Sequence, residues 1–188
     1  MVIIVVRHGL REKIGELDEC VENSLSLSRP GIEQVRQLGK HLKGKGINPE
    51  VYYTSCFSHA RETADILRAE LANASAKVMQ MCSLTPHYQG PREFRETKTV
   101  WTGLDILRSV DKESRARGQD IRELATVAMI LHKPRVEQLL AGMTSKDDAL
   151  FHDIEYASGR FLKAESFDDV LQGSVLECTE LPLDNAET

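Results

Sequence analysis

Three histidines sit where an imidazole could do chemistry: His8 within Arg7-His8-Gly9, His59 in the stretch from Ser55 to Thr63, and His132 directly after the apolar run Ala125 to Leu131. Neutral imidazole is a nucleophile, and protonated imidazole binds anions. Arg7 adds a permanent cation beside His8. His59, Arg61 and Thr63 fall in the first turns of a helix predicted from about Ser58 to Ala72, and a helix amino terminus with cationic side chains is a natural phosphate site. Each feature also has a plain structural reading. A strand-end histidine often only satisfies local hydrogen bonds, and Arg61 and Arg68 can simply decorate a solvated face.

Rigid elements must stand behind these residues. Val2-Ile3-Ile4-Val5-Val6 is apolar at every position, the pattern of a strand buried on both faces in a largely parallel sheet. Arg7 and His8 emerge at its carboxyl end, the edge where open α/β sheets bind ligands. Gly9 lets the backbone turn and keeps bulk away from whatever His8 faces. The polar, acidic stretch Leu10 to Leu27 reads as a long loop. A helix then starts at Ser28 or Arg29 with Pro30 in its first turn, buries Ile32, Val35, Leu38 and Leu42, and ends at Gly44 and Gly46. His41 reads as a surface residue on it.

Further strands are predicted at Val51 to Thr54, Val78 to Cys82 and Ala125 to Leu131, the last delivering His132 as the first delivers His8. Pro134 begins a helix that buries Val136, Leu139 and Leu140. Residues 88–123 read as a helical excursion over the sheet. Residues 151–181 read as antiparallel strands: Ile154 to Ala157 paired with Arg160 to Ala164 around Ser158-Gly159, then Val175 to Leu181. The whole, residues 1–188, is predicted to be one α/β domain with a mostly parallel, mixed sheet.

The net charge is −5, unevenly spread. From residue 147 onward there are 11 acidic and 2 basic residues, which leaves 18 acidic and 22 basic in the first 146. The half carrying the three histidines can therefore accept an anion, while nothing resembles the dense basic stripe of a nucleic-acid binder. No apolar run is long enough to cross a bilayer, and the N-terminal apolar segment lacks the basic flank and length of a signal peptide. A cytoplasmic location is expected. Cys20, Cys56, Cys82 and Cys178 are widely spaced without a C-x-x-C pair, which argues against a zinc site and for free thiols.

Taken in order, Arg7-His8-Gly9, the Ser55 to Thr63 junction and His132 resemble the histidine phosphatase superfamily, with its phosphoglycerate mutase-like fold. Leu27-Ser28, Gly31 and Gln34 are similar to that family's L-[ST]-x-x-G-x-x-Q helix opening, and Ser55, Ala60, Thr63 and Ala64 to its S-P-x-x-R-A-x-x-T-A junction. The resemblance implies a three-layer α/β fold with helices on both faces of the sheet. It implies that His8 accepts the phosphoryl group, that Arg7 holds its oxygens, and that His132 binds it from the opposite side. No metal or cofactor is implied, and the partner would be a phosphorylated protein or a small phosphorylated molecule, with phosphate released.

Three departures stand out. The family's junction arginine falls on His59; Arg61 lies two helical positions on and points roughly 200° away. Leu131 replaces the small residue before the second histidine, which would narrow the approach to His132. The proton-donor glutamate of the family's mutases and sugar phosphatases falls on Pro86, with Glu93 or Glu96 as possible substitutes. Loss of that acid, with Leu84-Thr85-Pro86 and the His132-x-Pro134 pair, is similar to the short SixA-type phosphohistidine phosphatases. Alternatives are a phosphatase or mutase for small phosphorylated metabolites, and an impaired relative that binds a phosphorylated ligand without turnover.

Overall fold

The computed structural model describes residues 1–12, 24–85, 102–144 and 154–181. The elements run β1 (Val2–Arg7), α1 (Arg29–Gly44), β2 (Val51–Thr54), α2 (Ser58–Glu70), β3 (Lys77–Gln80), α3 (Gly103–Ala116), β4 (Thr126–Leu131), α4 (Lys133–Thr144), β5 (Gly159–Lys163), α5 (Phe167–Leu171) and β6 (Glu177–Leu181). Short 3-10 turns stand at Cys82–Leu84 and Ile121–Glu123. The strand order is β3-β2-β4-β1-β5-β6. The first four strands of that order are parallel, and β5 and β6 add antiparallel.

The unbroken apolar runs of β1 and β4 are explained by cores on both faces. Ile3, Val5, Val127, Met129 and Leu131 pack with Ile106, Leu107 and Val110 of α3 and with Val136, Leu139 and Leu140 of α4. Ile4, Val6, Ala128 and Ile130 pack with Val35, Leu38 and Leu42 of α1 and with Ala60, Ala64 and Leu67 of α2. Each such aliphatic side chain contributes about 1.5–3 kcal/mol by leaving water. The sheet thus lies between two helical layers, the mixed three-layer α/β architecture expected. Among the described residues no helix is long and apolar enough to cross a membrane.

The register Arg7↔Leu131 places the carboxyl ends of β1 and β4 side by side. From there the chain departs on opposite faces, toward α1 from β1 and into α4 from β4. Such a divergence opens a crevice at the strand ends.

Several boundaries differ from expectation. The third strand ends at Gln80, because the chain turns into the 3-10 segment at Cys82. The strand expected at Ile154 to Ala157 is absent: Ala157 has φ +52°, its N–H donates to the carbonyls of Arg7 and His8, and Ser158 Oγ donates to the Glu155 carbonyl. These bonds bend 154–158 into a turn over the exit of β1, so β5 pairs with β1 and β6 and forms no hairpin with the preceding segment. A short helix, α5, separates β5 from β6, with Ser166 and Asp169 in a reciprocal cap. Cys20, Pro86, Glu93, Glu96 and Trp101 lie outside the described residues, as does most of the loop expected after Leu10.

Helices α3 and α4 cross with glycine against glycine. A β-carbon on Gly103 would overlap the Gln138 carbonyl, and one on Gly142 would approach Gly103 Cα to 2.8 Å. Gly44, by contrast, has open space around it. Gly103→Val is expected to lower the unfolding free energy by about 1–3 kcal/mol or more. Gly44→Ala is expected to be neutral or stabilising by up to about 1 kcal/mol. Urea titration of both variants checks this contrast.

Candidate active site

The loop after β1 is held from three sides. His8 N–H donates to the Leu131 carbonyl at 3.0 Å, extending the β1–β4 ladder by one residue. Gly9 N–H donates to Thr63 Oγ1 at 3.2 Å, and that hydroxyl donates to the His59 carbonyl at 2.7 Å. Ser28 N–H and Oγ both donate to the Leu10 carbonyl at 2.9 Å, while Leu10 N–H donates to Gln34 Oε1 at 3.2 Å. Gly31 completes this clasp, since a β-carbon there would overlap Leu10 O. The Leu27-Ser28-x-x-Gly31-x-x-Gln34 pattern is therefore a holder for the loop that follows His8. Gly9 serves the same packing. A β-carbon on it would lie 2.7 Å from Val35 Cγ2 and 2.8 Å from Gly31 O, so it is glycine for α1's approach and not to clear space in front of His8.

The three histidines come together. His8, His59 and His132 are 5%, 2% and 9% exposed. Their ring centroids are 4.3 Å apart for His8–His59, 4.7 Å for His8–His132 and 5.0 Å for His59–His132. His8 Nδ1 lies 2.7 Å from the Gly9 carbonyl, which can only accept, so Nδ1 carries the proton and Nε2 holds the lone pair in the neutral ring. His59 Nδ1 likewise donates to the Leu25 carbonyl at 3.2 Å. His132 Nε2 is 3.0 Å from Ser55 Oγ, which also accepts from Phe57 N–H at 3.4 Å.

The electrostatics keep two of these rings neutral. Burial, then the charges of His59, Arg7 and Arg11, hold His8 down to about 3 against the smaller upward pull of the Gly9 carbonyl. Burial, then His8, His59, Arg11 and Arg7, hold His132 down to about 2. Two helices begin here. His59 lies in the first turn of α2, whose cap residue Phe57 offers no side-chain acceptor, and the His132 carbonyl receives the N–H groups of Arg135 and Val136 at the start of α4. Both helix ends favour an anion in the crevice.

Arg7 stands beside this cluster. Its Nη1 donates to the Ile154 carbonyl at 2.9 Å, its Cζ lies 3.6 Å from the Tyr156 ring centroid, and its buried Nε has no hydrogen-bond partner. Arg61 is on the solvent side, paired with Asp65 at 3.7 Å. Leu131 is fully buried in the core with Val136 and Leu139, so its bulk does not narrow the approach to His132. Glu93 and Glu96 lie outside the described residues.

Sequence reasoning did not find Tyr156, whose ring lies 5.5 Å from His8, or Phe57, whose ring meets His132 edge-on at 4.7 Å. Tyr156 fell in a stretch read as strand. Arg11, whose charge reaches both His8 and His132, gave no signal beyond its nearness to His8.

The depressed histidines link stability to pH. Below about pH 6.5 the unfolded chain takes up protons that the folded chain refuses, so stability is complete above that pH and falls as pH drops toward 3. The slope reaches up to about 1.4 kcal/mol per pH unit for each histidine. Urea unfolding at pH 7 and pH 5 is expected to show this loss, and a shallower one in His132→Asn.

Residues 3–82 match the model of the histidine phosphatase superfamily (branch 1). A 2,3-bisphosphoglycerate-dependent phosphoglycerate mutase of Parvibaculum lavamentivorans is 31% identical over 78 residues, covering 42% of this chain and 37% of the mutase. The mitochondrial serine/threonine-protein phosphatase Pgam5 of Drosophila pseudoobscura pseudoobscura is 37% identical over 76 residues, covering 40% of this chain and 25% of Pgam5. The matched stretch thus spans well under half of these relatives. Two solved structures share the fold over nearly the whole chain. The protein histidine phosphatase SixA complexed with tungstate superposes with TM-score 0.66 at 16% identity, over 96% of this chain and 97% of that one. A SixA described as a phosphohistidine phosphatase, from Agrobacterium tumefaciens, does so with TM-score 0.62 at 13% identity, over 95% and 96%. Over residues 3–82, which carry the Arg-His-Gly strand end and the loop clasp, this chain is similar to the histidine phosphatase superfamily (branch 1), and over nearly its whole length it shares the fold of the two SixA structures.

Proposed function

We propose that this protein is a metal-independent phosphatase that works through a phosphohistidine on His8, with phosphohistidine in a partner protein as its favoured substrate. The observation that carries this reading is the bond from His8 Nδ1–H to the Gly9 carbonyl, in a ring whose burial keeps it neutral. It leaves the Nε2 lone pair as the nucleophile. Nε2 attacks phosphorus in line, the new N–P bond forms as the bond to the leaving nitrogen breaks, and the ring gains positive character that the Gly9 carbonyl offsets. Water then attacks the phosphorus, releases inorganic phosphate and returns the electron pair to Nε2.

Arg7, through its unpartnered Nε, binds a phosphoryl oxygen, and His132 contacts the group from the side of β4. His59 stands where the family's arginine would, which makes the pocket less cationic. The preference for an imidazole leaving group follows from the groups that act on His8 and His132. Among the described residues the charged groups that perturb His8 and His132 are imidazoles and arginines, and Pro86 stands where the proton-donor glutamate of the family's mutases falls. An alkoxide needs a proton donor, and lacking one costs about 10² to 10⁴ in rate. The distal ring nitrogen of a phosphohistidine takes a proton from solvent near neutral pH, so the N–P bond breaks to release neutral imidazole without a donor in the site.

Two measurements test the reading. Wild type incubated with phosphoramidate and quenched in alkali is expected to carry acid-labile phosphate, and His8→Ala none. A phosphohistidine peptide is expected to be hydrolysed at least about 10² times faster than a sugar phosphate. Phosphate binding without label would instead indicate a ligand-binding relative, and equal rates on both substrates would indicate a general acid.

A further inference from the structure

The substitution that weakens the pocket for phosphate changes what else it can hold. One ring nitrogen from each of His8, His59 and His132 lies within 4.8 Å of the others, with all three side chains buried. A tetrahedral zinc ion with bonds of about 2.0–2.1 Å needs its nitrogens about 3.3 Å apart, so the rings must close by about 1.5 Å at most. The rings are tilted at 56°, 58° and 88° to one another, convergent and not stacked. An arginine at position 59 would remove the third ligand.

The surroundings match those of histidine metal ligands. Such ligands give their second ring nitrogen to a carbonyl, carboxylate or water, which fixes the tautomer and raises ligand basicity. Here His8 gives Nδ1–H to Gly9 O, and His59 gives Nδ1–H to Leu25 O. His132 Nε2 meets Ser55 Oγ, and metal binding selects the tautomer in which Nε2–H donates to that oxygen. Arg7 and Arg11 oppose a bare dication, so the fourth position must go to an anion such as hydroxide or phosphate.

We propose that His8, His59 and His132 form a three-histidine site for a divalent transition cation of the zinc type, and that its occupancy blocks His8 as a nucleophile. The binding stands on the geometry alone. Its inhibitory consequence rests on the phosphatase reading.

The test is a Co²⁺ titration of chelator-stripped protein followed by visible absorption, with displacement by Zn²⁺. One equivalent is expected to give the intense d–d band of a tetrahedral site. His59→Arg and His8→Asn should each weaken binding more than about a hundredfold, beyond what loss of an outer hydrogen bond costs. His59→Gln, with thermal melting of every variant, guards against a fold defect in His59→Arg. One equivalent of Zn²⁺ should abolish phosphate release from phosphoramidate in wild type, whereas the rate of His59→Arg, whatever it is without metal, should be unchanged by the ion. No d–d band, or a band that survives in the folded His59 variants, overturns the site. A band dependent on all three histidines in a protein that forms no phosphoenzyme supports the site and overturns the phosphatase reading instead.

Discussion

The hydrogen bond from His8 Nδ1 to its neighbour's carbonyl is the interaction to which the rest of the structure is answerable. A ring so held presents one lone pair in one direction. That direction is only as good as the Gly9 backbone, and the backbone is held from every side. β4 takes the His8 N–H, Thr63 of α2 takes the Gly9 N–H, and α1 closes on Leu10 through Ser28, Gly31 and Gln34. Residues that look like motif in sequence thus serve a mechanical purpose: they brace a loop on two helices and a strand.

Burial supplies the second half of the chemistry. Three imidazoles with ring centroids 4.3–5.0 Å apart cannot all be charged in a site with two arginine charges close by, so at least His8 and His132 stay neutral far below ordinary histidine pKa. The arginines and helix amino termini carry the positive potential instead. In the proposed phosphatase, attraction for the anion and nucleophilicity toward phosphorus therefore fall to different groups, as they must where one kind of side chain could do either.

How much of this could be read in advance follows from physical pattern. His8 and His132 were legible because each ends an apolar run that can only be a doubly buried strand. Position 59 was legible by counting from Ser55 and Thr63, whose side chains hold His132 and Gly9. The turn at 154–158 was not, since its conformation is set by the carbonyls of Arg7 and His8 at the exit of β1 and by an Arg7–Tyr156 stack remote in sequence. Gly9 was recognised but misread, because its demand comes from Val35 of a helix whose approach no local pattern reveals. Leu131 was misread for a related reason: its position before His132 says nothing about which face its side chain takes.

In the proposed mechanism His8 is a neutral Nδ1–H imidazole with Nε2 as its nucleophilic atom. Long-range proton–nitrogen NMR of ¹⁵N-histidine-labelled protein, with His8 assigned by His8→Asn, reads this directly. The structure predicts a protonated Nδ1 and an unprotonated Nε2 at neutral pH, unchanged on titration to about pH 5. An imidazolium at neutral pH, or the proton on Nε2, would contradict it.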